Sequence, residues 1–185
     1  NPWGHSEQFS DVVDYFSYSL SQGNTKGIHP LLRDTESKVV RAEGAARAAA
    51  ILKQKGFVPD LVCAHPGWGE AMFLKTIWRD VPILCYQEFF YREQGLDSNF
   101  DPEFSDDELN CSYAQRVIMK RAYLQITLEQ ATWNVAPTYF QASTFPEHCR
   151  RKISVIHDGV DLRRASPSHS TKPLTLPDGT VLGLG

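Results

Sequence analysis

The chain has 185 residues, 42% hydrophobic and 22% charged, with a formal net charge of −3. That is the composition of an ordinary globular domain with a real core, and its acidic balance excludes a general basic field for nucleic acid. No apolar run approaches the roughly 20 residues of a membrane span, and the opening "NPWGHSEQ" has no secretory pattern.

In chain order, "DVVDYFSYSL" alternates with period two and predicts a strand. "SQGNTKGIHP" is a loop by its Gly, Asn and Pro content. A long helix is predicted from Leu32 to Lys55. Its Val40, Gly44, Ala48, Ile51 and Leu52 recur at three to four residues, and Gly56 stands at its stop. "DLVCAH" reads as a short apolar strand, followed by a helix from about Gly69 to Trp78. "VPILCYQEF" is a second strand of the buried type, and the acidic stretch Asp97 to Glu108 reads as solvent-facing and irregular. Ser112 to Gln130 is helical, with Ala114, Ile118, Ala122 and Ile126 on one face. "TWNVAPT" predicts a strand, "YFQASTFPEHCR" a short helix broken near Pro146, and "KISVIHDGVD" a last strand leaving through an Asp-Gly turn. Past Leu162 the Pro, Ser and Thr content marks a linker. Cys63, Cys85, Cys111 and Cys149 form no zinc spacing and read as reduced, mostly buried thiols of a cytosolic protein.

Strand and helix in this alternation predict an α/β fold, a Rossmann-like open and mostly parallel sheet flanked by helices. Ligands of such sheets sit outside the carboxyl ends of the strands. His65 stands at such an end. Gly67 and Gly69 let the backbone turn tightly beside it, and the next helix points its N-terminus at the same place. The simpler reading of His65 is a hydrogen bond to a neighbouring loop.

Several of these segments are familiar together. "GIHPLLRDTE", "PDLVCAHPGWGEAMFLK", "EFFYREQG", "FDPEF", "APTYFQASTFP", "ISVIHDGVD" and "LTLPDGTVL" resemble the N-terminal domain of glycosyltransferase family four. These are retaining, nucleotide-sugar-dependent enzymes of the two-domain GT-B architecture. The likeness runs from Gly27 to Leu182. It implies that this domain holds a glycan or lipid-linked acceptor, while a second domain holds most of the nucleotide-sugar donor. It implies no cofactor, no metal, and a hexosyltransferase of polysaccharide or cell-envelope glycan synthesis. Its place would be the cytoplasm, with peripheral attachment to the inner face of the membrane left open.

By the same resemblance His65 matches the histidine beside the donor sugar. His157, Asp158 and Gly159 match the hinge where the chain leaves the first domain, with Asp158 where Asn is usual. A plain redirecting turn is the simpler reading there. Glu88 and Arg92 are candidates for acceptor hydroxyls or phosphate, with Tyr91 as a stacking face. Trp68 is an acceptor platform or a lid on the core. Glu70 favours its helix start through the dipole. Thr138 and Gln141 open a helix toward the cleft.

The chain also departs from the family pattern. No strand, glycine loop, helix and second strand precede "DVVDYFSYSL", and the paired glutamates of a second domain are missing. We therefore expect residues 1–162 to be a Rossmann-like domain lacking its first strands. Residues 163–185 are expected to be a linker and the start of a missing domain. Such a piece should be inactive alone, and its unpaired strand edge predicts a homodimer or larger, unless "DVVDYFSYSL" folds over to fill the gap. Two other readings stay open. "AHPGWGE" superficially resembles the "AHPDDE" signature of zinc-dependent sugar deacetylases, but Gly67 and Trp68 stand where its two Asp residues would be. A non-catalytic Rossmann-like binding module is the other.

Overall fold

The structure, a computed structural model, describes residues 12–93, 95–96, 103, 111–166 and 173–182. Its centre is a sheet of four parallel strands in the order β1-β2-β3-β4: β1 (Val62–Ala64), β2 (Ile83–Tyr86), β3 (Trp133–Ala136) and β4 (Ile153–Val155). Cys63 pairs with Leu84, Cys85 with Asn134, and Val135 with Ser154. The four strands fall where the sequence pattern places them.

Helix α1 (Arg33–Gln54) is entered through a 3-10 turn, Pro30–Leu32, and carries Asp34 and Glu36 in its first turn and Lys53 in its last. Each charge opposes the helix dipole at its own end. Gly56, at φ 88°, ends the run. On one side of the sheet Val62, Ala64, Ile83 and Cys85 pack with Ala71, Leu74 and Ala131. Ala49 and Leu52 of α1 close over Val62, Trp78 and Val81. Helix α3 (Cys111–Gln130) brings Tyr123, Leu124 and Leu128 against Met72, Phe90 and Phe145 at the carboxyl end of the strands. The opposite side is the more open among the described residues: Cys63 and Trp133 are exposed, and Leu84, Tyr86 and Val135 are half-buried. Helices α4 (Tyr139–Thr144) and α5 (Glu147–Arg150) lie between β3 and β4, and a hairpin of β5 (Leu174–Thr175) and β6 (Val181–Leu182) follows. Among the described residues no helix is long and apolar enough to cross a membrane.

The structure corrects four expectations. The described part of "DVVDYFSYSL" forms no strand. Instead the Tyr18 ring lies so close to Gly44 of α1 that a Cβ there would come within 2.7 Å of it. The Tyr18 hydroxyl also donates to Glu70 Oε1 at 2.6 Å. Tyr18 is thus held by Gly44 of α1 and by Glu70 rather than by a sheet edge. The helix expected from Gly69 to Trp78 is a 3-10 turn, Glu70–Phe73, and the single-turn helix α2 (Leu74–Ile77), with a further 3-10 turn, Pro66–Trp68, before it. Gly69, at φ 97°, separates the two turns, because a left-handed residue cannot continue a right-handed helix.

In α3 the buried residues are Val117, Tyr123, Leu124, Thr127 and Leu128, while Ile118 and Ile126 are 51% and 40% exposed. A strict four-residue step advances about 40° past a full turn each time, so the expected Ala114-to-Ile126 stripe winds off the core. Cys63 is exposed, not buried, because it points to the open side of the sheet. The acidic stretch lies outside the described residues apart from Glu103.

Candidate active site at the carboxyl ends of β1 and β2

His65 continues the extended backbone of β1, at φ −97° and ψ 116°, and caps the Pro66–Trp68 turn. Its Nδ1 accepts the Gly67 N–H at 3.1 Å. A neutral imidazole that accepts at Nδ1 carries its hydrogen on Nε2. That Nε2 lies 3.1 Å from Glu88 Oε2, the Glu88 carboxylate being exposed just past β2. Gly67 is required by this arrangement: a Cβ at that position would stand 2.6 Å from His65 Cε1 and 3.1 Å from Nδ1.

The His65 ring stacks on Tyr86 with centroids 6.0 Å apart. The Tyr86 hydroxyl donates between both oxygens of Asp158, at 2.9 and 2.8 Å. That hydrogen bond, then desolvation and the charges of Asp158 and Glu88, hold the Tyr86 phenol above its ordinary range. His157 repeats the His65 turn, its Nδ1 accepting the Gly159 N–H at 2.9 Å with Gly159 at φ 85°. The segment after β4 is thus tied through Tyr86 to the face of His65.

His65, Gly67, Glu88 and Tyr91 meet around one small cavity of about 40 Å³, together with Gln87 and Tyr123. The Tyr91 ring lies under Lys120 Nζ at 5.0 Å. The chain belongs to a family whose model, the glycosyl transferase family 4 group, matches residues 4–165. The matched residues include His65, the residues around the cavity and the Asp158 tie. Comparison with curated proteins finds no match.

Other expected site residues of this glycosyltransferase domain stand apart from the cavity. Trp68 is 58% exposed, with Lys38 Nζ 5.1 Å and Arg41 5.8 Å from its ring. Gly69 meets α1, where a Cβ would be 2.6 Å from the Lys38 carbonyl oxygen. Glu70 pairs with Tyr18 and with Arg41 at 3.7 Å. Arg92 donates to the Thr144 carbonyl at 3.3 Å. Thr138 caps α4: its Oγ1 accepts the Gln141 N–H at 3.1 Å and donates to Gln141 Oε1 at 2.7 Å. Among the described residues no three His, Cys, Asp or Glu side chains come together to hold a metal. Sequence reasoning missed Tyr86 and Gln87. The available signal was a polar side chain inside the apolar run "VPILCYQEF", since a buried amide demands partners.

Proposed function

We propose that the chain is the acceptor-side domain of a retaining hexosyltransferase that uses a nucleotide sugar. Its work is in polysaccharide or cell-envelope glycan synthesis, in the cytoplasm, on a glycan or lipid-linked acceptor. The observation that carries this reading is the His65–Glu88 pair. His65 Nε2–H is a donor and the Glu88 carboxylate is an acceptor, 3.1 Å apart at the carboxyl ends of the strands. At that distance the two groups meet directly, and a sugar hydroxyl, which both gives and takes a hydrogen bond, replaces their contact when the exposed Glu88 side chain swings aside.

The Gly67 N–H on Nδ1 also argues for His65 as a donor and against a general base, because the other ring nitrogen, Nε2, already carries the hydrogen. In this mechanism the leaving phosphate of the donor takes the acceptor proton on the same face of the sugar. His65 steadies the sugar while the bond to the nucleotide breaks. The resemblance puts the second wall of the cleft in a separate domain, so this domain alone is expected not to transfer sugar.

The test is His65→Ala in the intact protein, read as nucleotide release from a panel of UDP-, GDP- and dTDP-hexoses. We expect turnover to fall by about 10²-fold or more, the scale of losing a positioned polar group. Near-normal turnover by the folded variant overturns the role of His65.

A further inference from the structure

We propose that Gln87 is a sugar-binding residue: its Oε1 accepts one hydroxyl of the transferred hexose in the small cavity beside His65. The proposal rests on the transfer reading above. Gln87 follows β2 and is 1% exposed. Its backbone N–H donates to the Val135 carbonyl at 2.7 Å, which fixes the residue to β3. Its Nε2 donates to Asn134 Oδ1 at 2.8 Å, and Asn134 Nδ2 donates to the Lys152 carbonyl at 3.3 Å.

This relay decides which way both amides face. The oxygen and nitrogen of a side-chain amide are otherwise interchangeable in outline. The Lys152 carbonyl is a main-chain acceptor and cannot donate. Asn134 must therefore turn its nitrogen to Lys152 and its oxygen to Gln87. Gln87 must in turn give its nitrogen to Asn134, which leaves its own oxygen at the far end.

That oxygen, Oε1, is buried and has no hydrogen-bond partner. Three buried side-chain polar atoms share this condition among the described residues, Thr35 Oγ1, Trp78 Nε1 and Gln87 Oε1. Of the three residues only Gln87 lines the cavity that His65 and Glu88 also line. An unpaired buried acceptor is costly, and the partner it lacks must be a donor. The cavity of about 40 Å³ exceeds the roughly 10–15 Å³ that one water needs, so it has room for a hydroxyl or hydroxymethyl group. One substituent of the hexose then reaches in to Gln87, while His65 and Glu88 meet the sugar at the same cavity. Gln87 thereby selects among hexoses by the presence and direction of that substituent.

The experiment uses the intact protein and nucleotide release from UDP-, GDP- and dTDP-hexoses, each accepted parent being compared with its monodeoxy analogues. Wild type, Gln87→Met and Gln87→Met/Asn134→Leu are measured side by side for kcat/KM. The double variant replaces both hydrogen-bonding partners at once, which avoids stranding Asn134 and guards against misfolding of the single one. One deoxy position is expected to cost the wild type about tenfold or more and to cost the variants less than about threefold. If every deoxy analogue matches its parent in the wild type, the cavity holds only a structural water and the proposal is overturned. An equal penalty in wild type and variants overturns it too. No turnover of any parent sugar overturns instead the transfer reading beneath it.

Discussion

Gly67→Ala is the sharpest single test of how the site is built. The added methyl would lie 2.6 Å from His65 Cε1. Carbon atoms in contact prefer about 3.5 Å, so the ring must withdraw by about 1 Å. The Nδ1 bond to the Gly67 N–H is already 3.1 Å long, and such a shift takes it out of range. The Nε2 contact with Glu88, also 3.1 Å, moves with it. Gly67 is not among the left-handed glycines, so alanine suits its backbone. The stability change is then small: a lost hydrogen bond costs about 1 kcal/mol, and the stiffer unfolded chain returns about 0.4–1 kcal/mol.

Catalysis bears the larger effect, because a misplacement of about 1 Å at a reacting centre costs about 10²-fold, or about 2.7 kcal/mol of barrier. Initial rates of nucleotide release should therefore fall by about 10²-fold while urea melts of the same protein shift by less than about 1 kcal/mol. A wild-type rate refutes the reasoning. So does a loss of stability as large as the loss of activity, since His65 would then be a folding residue.

Gly69→Ala should do the reverse. With φ at 97° and the Lys38 carbonyl 2.6 Å from any Cβ, it should destabilise by about 2–5 kcal/mol in urea melts; a change under about 1 kcal/mol contradicts the close approach of α1. Alkaline pH should weaken the fold. Burial, aided by Cys63, pushes the Cys85 thiol up to about 12, and burial with Glu70 pushes Tyr18 to about 12. Both groups hold their protons in the fold after the unfolded chain has lost them. Their contribution is thus whole below the unfolded values, about 8.5 for the thiol and about 10 for the phenol, and is lost as pH climbs toward the folded values. Urea melts from about pH 8 to 11 should show the decline, less steep in Cys85→Ala, and a flat profile would reject it. Strand β1 pairs with β2 alone among the described residues, so light scattering at micromolar concentration should give a dimer or larger, and a clean mass near 20.9 kDa rejects that.

The sheet was legible because each strand is an apolar run between turn residues, and the extent of α1 because Gly56 stops it, although Ile51 of its expected face is exposed while Ala42 and Ala49 are buried. What failed were inferences from period alone. "DVVDYFSYSL" alternates well enough for a strand, yet alternation does not supply a neighbour, and Gly44 offered Tyr18 a closer fit. Four-residue spacing in α3 counted the wrong face. The position of His65 followed from the strand end, but its partner Glu88 lies past the end of the neighbouring strand β2, and the tie from Tyr86 to Asp158 spans 72 residues. Gln87 was hidden for the same reason, since its relay to Asn134 joins positions 47 apart. Thr138 and Gln141 read as cleft residues and serve each other as a helix cap, a local role that the Thr-x-x-Gln spacing already permitted.

Neighbouring strands of this sheet carry thiols on opposite sides. Cys63 faces the open side and Cys85 the packed one. A thiol-alkylating reagent added to the folded protein therefore marks the first and spares the second. The sparing of Cys85 certifies that the fold is intact, so any protection of Cys63 measures what has come to rest on that side of the sheet. A longer stretch of chain, a second copy or a bound glycan would each leave its footprint there without a residue being changed.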